Sequence, residues 1–282
     1  MPSLSRRHML AAVGSAAAWL TAPGALAAPR SDLWPRWQAH DAASRHSVDH
    51  AAWDAFLARY RHEGADGVAR VAYGAVSQAD RQALADYLAR LSATPVSSLN
   101  QAEQFSYWVN FYNALTVQII LDNYPVASIR DIDISPGLFA NGPWGARLVT
   151  VEGEALSLDD IEHRILRPIW QDPRIHYVVN CAAIGCPNLP AQALRPSSND
   201  ATMNAAAITY VNDPRGIDVS PNGLTVSRIY DWFAEDFGDL RAHLARYATG
   251  DRAASLASGV AITRYRYDWA LNDINSEGRP GN

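Results

Sequence analysis

Asn100–Pro125 reads NQAEQFSYWVNFYNALTVQIILDNYP, and its pattern sets the architecture. Asn100 with Glu103 three residues later is a capping-box-like start, asparagine standing in for serine or threonine. Pro125 bars easy continuation beyond Tyr124. The spacing predicts a helix over 101–124. Phe105, Trp108, Val109, Phe111, Tyr112, Leu115, Val117, Ile119, Ile120 and Leu121 make it apolar nearly all round, the mark of a helix at the centre of a fold. Asn110 and Asn113 fall on one side, with Ser106 and Val117 on the same stripe. A buried amide must find partners. Two readings stand side by side: the asparagines tie loops to the core, or they line a pocket and orient a substrate or a catalytic side chain.

Upstream, Ser47 opens a helix through Tyr60 with Trp53, Phe56, Leu57 and Tyr60 on its apolar face. His46 and His50 lie four apart, with His40 and His62 nearby, a spacing that suits a metal on a helix. No further ligand beyond Asp49 joins them at fixed spacing, so they read as a solvated face. Val68 to Val76 reads as a short strand, and Ser77 opens a helix through Leu91 with Leu84, Tyr87, Leu88 and Leu91 facing the core. Downstream come a strand at 147–151, a Glu152-Gly153 turn and a helix over 158–167 capped by Ser157. That helix places Leu158, Ile161 and Ile165 on its core stripe and His163 off it. The β-branched content of 174–182 predicts a strand. Alternation then puts Cys181 on one face and His176 with Asn180 on the other. Cys186, before Pro187, reads as the cap of a short helix. A helix over 201–211, a hairpin at 217–219 and 224–226, helices after Ser227 and over 239–247, and a strand at 261–267 follow. The fold class is α+β: a single domain in which the central helix packs on a small mixed sheet including 174–181, with surrounding helices.

The first residues have the layout of a leader. Ser5-Arg6-Arg7 precedes an apolar run from Met9 to Leu20, and Ala25-Leu26-Ala27 fits a small-residue cleavage site. The paired arginines mark a twin-arginine signal over 1–27. A general secretory signal or an uncleaved anchor is the alternative. The expected location is the periplasm or the extracellular space. The run is short for a membrane span, and no later segment reads as one. The net charge of -5 argues against a nucleic-acid partner. All 24 basic residues are arginine, which removes Schiff-base chemistry and the phosphate-binding lysine of a P-loop.

Chemistry concentrates in Ser157–Leu189, SLDDIEHRILRPIWQDPRIHYVVNCAAIGCPNL, which holds both cysteines, a Glu-His pair and His176. Together with FSYWVNFYNALTVQIILDNYP (105–125), LSLDDIEHRILR (156–167), SRIYDWFAEDF (227–237) and YRYDWALN (265–272), it resembles the DUF547 family. The resemblance covers about 100–272. It divides the chain into the leader, an N-terminal helical extension over 28–99, the family domain over 100–272 and a tail over 273–282. The family's recurring positions fall on Asn110, Tyr112, Asn113, Glu162, His163, His176, Cys181, Cys186 and Pro187. The resemblance implies that these motifs form one site or one structural knot, favours Cys181 over Cys186 for a shared role, and implies no established activity.

Three chemistries fit the inventory. A thiol-dependent hydrolase or acyl transferase needs a thiolate, a histidine and an orienting polar group. Cys181 with His163, supported by Glu162, Asn110 and His176, supplies them, with Asn113, Tyr112, Asn180 and Cys186 as binding residues for a small molecule or peptide. A Cys181–Cys186 disulfide in an exported chain would instead leave a non-catalytic binding or scaffold module. A zinc site from Cys181, Cys186, His163 and His176 ranks last, because strand parity turns His176 away. No metal and no cofactor are expected.

Overall fold

The computed structural model describes residues 29–137 and 142–276; the leader read over 1–27 and residues 277–282 lie outside them. Ahead of the central helix stand α1 (Ala51–Tyr60), a hairpin of β1 (Arg61–Glu63) and β2 (Ala69–Val71), and α2 (Gln78–Ala93). The central helix is α3 (Gln101–Asn123). Ser77 Oγ accepts from the Asp80 N–H, and Asn100 Oδ1 from the Glu103 N–H. Each cap satisfies a first-turn donor that no helical carbonyl reaches. Glu103 does not close a capping box. Its carboxylate accepts from the Val48 N–H at 2.8 Å and ties the segment before α1 to α3.

From Glu103 to Leu121 every residue of α3 except Gln118 is buried. α2 and the segment 160–166 pack against α3. Trp53, Phe56, Leu57 and Tyr60 of α1 and Leu84, Tyr87, Leu88 and Leu91 of α2 join it in one core, so the described part of 28–99 is built into the same hydrophobic unit.

Next come β3 (Val149–Val151) and β4 (Glu154–Leu156), joined through Glu152 and Gly153 at φ 47° and 84°, the positive values a primed hairpin turn requires. Ser157 and Asp160 then cap each other: Ser157 Oγ accepts from the Asp160 N–H, and the Asp160 carboxylate accepts from the Ser157 N–H. The helix they open, Asp160–Leu166, is a π-helix, continued by α4 (Arg167–Trp170). Its wider turn brings both Glu162 and His163 inward, at 6% and 5% exposure, where α periodicity leaves His163 off the core stripe.

Residues 174–182 do not form the expected strand. Pro173–Tyr177 is a 3-10 helix. Asp172 accepts from the Arg174 N–H and clasps the Arg174 guanidinium, while Pro173 supplies the backbone angle of a first helical residue. This local bonding overrides the β-branched content of 175–179. α3 therefore packs on helices, not on a sheet containing 174–181. No helix follows Cys186 either: 187–198 runs without helix or strand.

The chain goes on through α5 (Asn199–Val211), β5 (Ile217–Ser220), β6 (Gly223–Ser227), α6 (Ile229–Trp232), α7 (Ala234–Phe237), α8 (Leu240–Ala245), α9 (Gly250–Ala257) and β7 (Ile262–Arg266). β5 pairs antiparallel and β7 parallel with β6, so the mixed sheet exists but is built from 217–266. It adjoins a second core of Tyr177, Tyr210, Tyr230, Phe237 and Leu244. With 48% helix and 12% strand, the fold is α+β. The stretch read as a tail is fixed at its start, where Asp273 accepts from the Tyr124 hydroxyl at 2.7 Å. No described helix is long and apolar enough to cross a membrane.

His40, His46 and His62 are exposed as expected, but His50 is 1% exposed, with Nδ1 2.7 Å from the Tyr87 hydroxyl. Burial lowers His50, His163 and His243 each from 6.5 to about 4. Below 6.5 the unfolded chain takes up these protons while the folded chain does not, so stability falls as pH drops towards 4. The slope is ~1.4 kcal/mol per pH unit for each group. Asp159, which burial raises to about 7, gives up one proton on unfolding in the same range, so urea midpoints measured from pH 7 to 4.5 are expected to fall with a net uptake of about two protons near pH 5.

Candidate functional site

The two cysteines sit at the ends of a loop zipped onto the last described strand-like segment. Ala182 takes a left-handed φ of 59° and turns the chain. The Ile184 N–H then donates to the Ala270 carbonyl and the Gly185 N–H to the Asp268 carbonyl, both at 2.8 Å, while the Asn272 N–H donates to the Ala182 carbonyl at 3.0 Å. At Gly185 a Cβ would lie 2.7 Å from the Asp268 nitrogen and 3.0 Å from Tyr267 Cγ, so only glycine permits this approach.

No disulfide joins the two sulfurs, but their Sγ atoms lie 2.6 Å apart, closer than two unbonded thiols ordinarily come. Tyr267 Oη lies 2.9 Å from Cys181 Sγ and 3.1 Å from Cys186 Sγ. The pair is asymmetric, because the Cys181 backbone N–H donates to Cys186 Sγ at 3.1 Å. Burial opposes ionisation at Cys186, but donors from the Cys181 thiol, Tyr267 and the Cys181 amide outweigh it and lower its pKa. Its hydrogen bond to Cys186 and burial hold Cys181 well above its ordinary value. Of the two, Cys186 is therefore the easier to ionise.

Aromatic rings flank the dithiol. Tyr267 packs on Trp269 and Trp232 with centroids 4.7 and 4.8 Å apart, and Trp144 packs on Trp269 at 5.7 Å. The next residue, Phe233, stacks on His176 at 4.0 Å with planes 18° apart. α6 and the turn after it thus touch both the dithiol region and a buried ionic network.

In that network His176 Nε2 lies 2.7 Å from Asp236 Oδ2 and Nδ1 3.6 Å from Glu162 Oε1. Arg167 donates to both Asp236 oxygens, to Glu235 and to His163 Nδ1, the last at 3.1 Å. Burial alone would lower His176, but its bonds and charges with Asp236 and Glu162 raise it. Its contribution to stability is full below 6.5 and is lost as pH rises through the folded value. Burial would raise Glu162, but the imidazoles of His163 and His176 and the Tyr112 hydroxyl bring it down to about 2. Asp236, likewise opposed by burial, is held at about 2 by His176 and Arg167.

A strap from Pro29 to Trp34 crosses this network. The Pro29 carbonyl accepts from Arg167 at 2.7 Å, and the Ser31 N–H donates to Glu235 at 3.1 Å. The Asp32 and Trp34 N–H groups donate to the His163 and Arg164 carbonyls at 2.9 and 3.0 Å.

Among the expected site residues, Asn110, Asn113 and Asn180 tie loops to the core. Asn110 exchanges bonds with the Leu194 backbone. Asn113 donates to the Val178 carbonyl and accepts from the Asn180 N–H, both at 2.8 Å. The Asn180 side chain spans the cysteine loop, donating to the Pro187 carbonyl and accepting from the Ala182 N–H. Tyr112 is buried beside Glu162. Among the described residues neither His163 nor His176 hydrogen-bonds a thiol, and no group of His, Cys, Asp and Glu forms a metal-ligand set. His176 bonds carboxylates, not Asn180 as strand parity suggested. Tyr267, Asp236, Arg167, Trp232 and Phe233 were not singled out, although the aromatic-acid motifs at 227–237 and 265–272 contain all but Arg167.

Asn113→Ala leaves a buried N–H and a buried carbonyl unpaired and is expected to cost about 2–4 kcal/mol, read as a lowered urea midpoint. Gly185→Ala displaces Tyr267 and is expected to shift the alkylation-rate profile of Cys186 to higher pH.

Residues 96–211 match the family model described as Protein of unknown function, DUF547. No curated protein and no solved structure matches the chain. The matched span is shorter than the 100–272 resemblance; it contains both cysteines, both site histidines and the asparagines, and ends before Asp236 and Tyr267. On this match the chain carries a DUF547 domain over 96–211, which holds both cysteines.

Proposed function

We propose that this DUF547 domain is a thiol–disulfide exchange centre, and that the protein works outside the cytoplasm after delivery by a twin-arginine leader. The observation that carries the exchange reading is the sulfur pair itself: two sulfurs in contact, with the Cys181 amide and the Tyr267 hydroxyl donating to Cys186. Such an arrangement stabilises one thiolate and keeps its partner protonated. The balanced reaction couples Cys181–SH and Cys186–SH to a disulfide RSSR′. One S–S bond forms in the protein, one breaks in the substrate, and two electrons and two protons pass to RSH and R′SH. The site histidines give less support to acyl transfer. Both nitrogens of His176 face carboxylates and His163 Nδ1 faces Arg167, so neither is placed to take a thiol proton. Export rests on the arginine pair, the apolar run and the small-residue cleavage site of residues 5–27.

Equilibration in glutathione redox buffers, followed by acid quench and intact mass, tests the exchange reading. The expected result is a reversible loss of two hydrogens that requires both Cys181 and Cys186. Thiols that stay reduced across the buffers would end it. Tyr267→Phe removes one donor and is expected to slow alkylation of Cys186 near neutral pH, with the rate recovering at high pH. The intact mass of protein secreted by its source cells reports whether residues 1–27 are removed.

A further inference from the structure

We infer, resting on the exchange reading, that Cys181 is the sulfur attacked by an external thiol, that Cys186 is the internal leaving group, and that the oxidised site therefore serves as a disulfide donor to thiols. Accessibility separates the two: Cys181 is partly exposed, whereas Cys186 is 5% exposed and enclosed by buried Gly185 and Pro187. Exchange runs along the S–S axis, the attacking sulfur opposite the departing one. An approach to Cys181 from outside expels Cys186 inwards.

The inward position is built to receive a thiolate. The Cys181 N–H and the Tyr267 hydroxyl both point at Cys186 Sγ, at 3.1 Å each, and neither depends on the substrate. Attack at Cys186 would reverse these roles, expelling Cys181, which receives no backbone donor and shares only the Tyr267 hydroxyl. A lower-pKa thiolate is the better leaving group, and a stabilised reduced form makes a disulfide more oxidising. The half-reaction balances. RS⁻ attacks Cys181, forming RS–S–Cys181 and releasing the Cys186 thiolate. A second RS⁻ attacks the R-side sulfur, forming RSSR and releasing the Cys181 thiolate, which takes up a proton. Two electrons pass from two thiols to the protein.

Full-length oxidised protein, mixed with 2-mercaptoethanol, quenched in acid after short intervals and alkylated, is mapped by peptide mass. The expected adduct lies on Cys181, in roughly tenfold excess over Cys186. Single-cysteine variants give a second measurement. Cys186→Ser is expected to form a mixed disulfide with 2-hydroxyethyl disulfide faster than Cys181→Ser does, despite the more acidic thiol retained in the latter. Adducts on Cys186, or equal labelling, overturn the polarity while leaving exchange intact. An absence of any adduct, with the disulfide unchanged, overturns the exchange reading and this inference with it.

Discussion

The side-chain amide of Asn113 does for residues 178–180 what a neighbouring strand does in a sheet: it receives one backbone N–H and supplies one donor to a carbonyl. Asn110 repeats the arrangement at Leu194, one turn away on the same helix. A segment without a ladder must place its buried backbone groups elsewhere, and here they are placed on α3. Asn180 extends the line. It bonds the Ala182 N–H and the Pro187 carbonyl and meets Asn272, whose own amide oxygen accepts from Tyr73. Both ends of the cysteine loop are thus referred to one buried helix, so sulfur positions follow from core packing.

The second constraint is charge. Glu162, His176, Asp236 and Arg167 are largely taken out of water, a placement that holds only when each charge has partners. Glu162 acts on the thiols with the wrong sign for a thiolate, raising both cysteines. A Cys186 anion therefore depends on short-range donors, the Cys181 amide and Tyr267, rather than on an imidazolium. The imidazolium present is spent on two carboxylates.

Much of this was legible in residues whose bonding is local. The Ser77 and Asn100 caps, the unbroken apolar surface of α3 and the positive-φ turn at Glu152-Gly153 depend on neighbours in sequence. The 174–182 segment misled because its β-branched residues were weighed alone, while Asp172 and Pro173 closed a 3-10 turn. The π-helix was not visible, since its pattern differs from an α-helix by a single inserted position. His50 looked solvated because nothing in the sequence brings Tyr87 to it. In the candidate site, the motifs of 157–189 hold both cysteines and His176, but Asp236 and Tyr267 lie 50 and 81 positions beyond Cys186 and meet these residues only through the fold.

The strap from Pro29 to Trp34 is held mainly through its main chain: one carbonyl and three N–H groups make the hydrogen bonds, while the side chains of Arg30, Ser31, Asp32 and Leu33 stay exposed and only Asp32 adds an ion pair, 3.6 Å from Arg164 Nε. Recognition of this kind does not read side-chain identity. Mutational tolerance should accordingly be high across 30–33 and stop at Trp34, whose ring lies under the Arg164 guanidinium at 4.4 Å. The stretch 30–33 is thus free to drift in composition without disturbing Arg167 or the network beneath it.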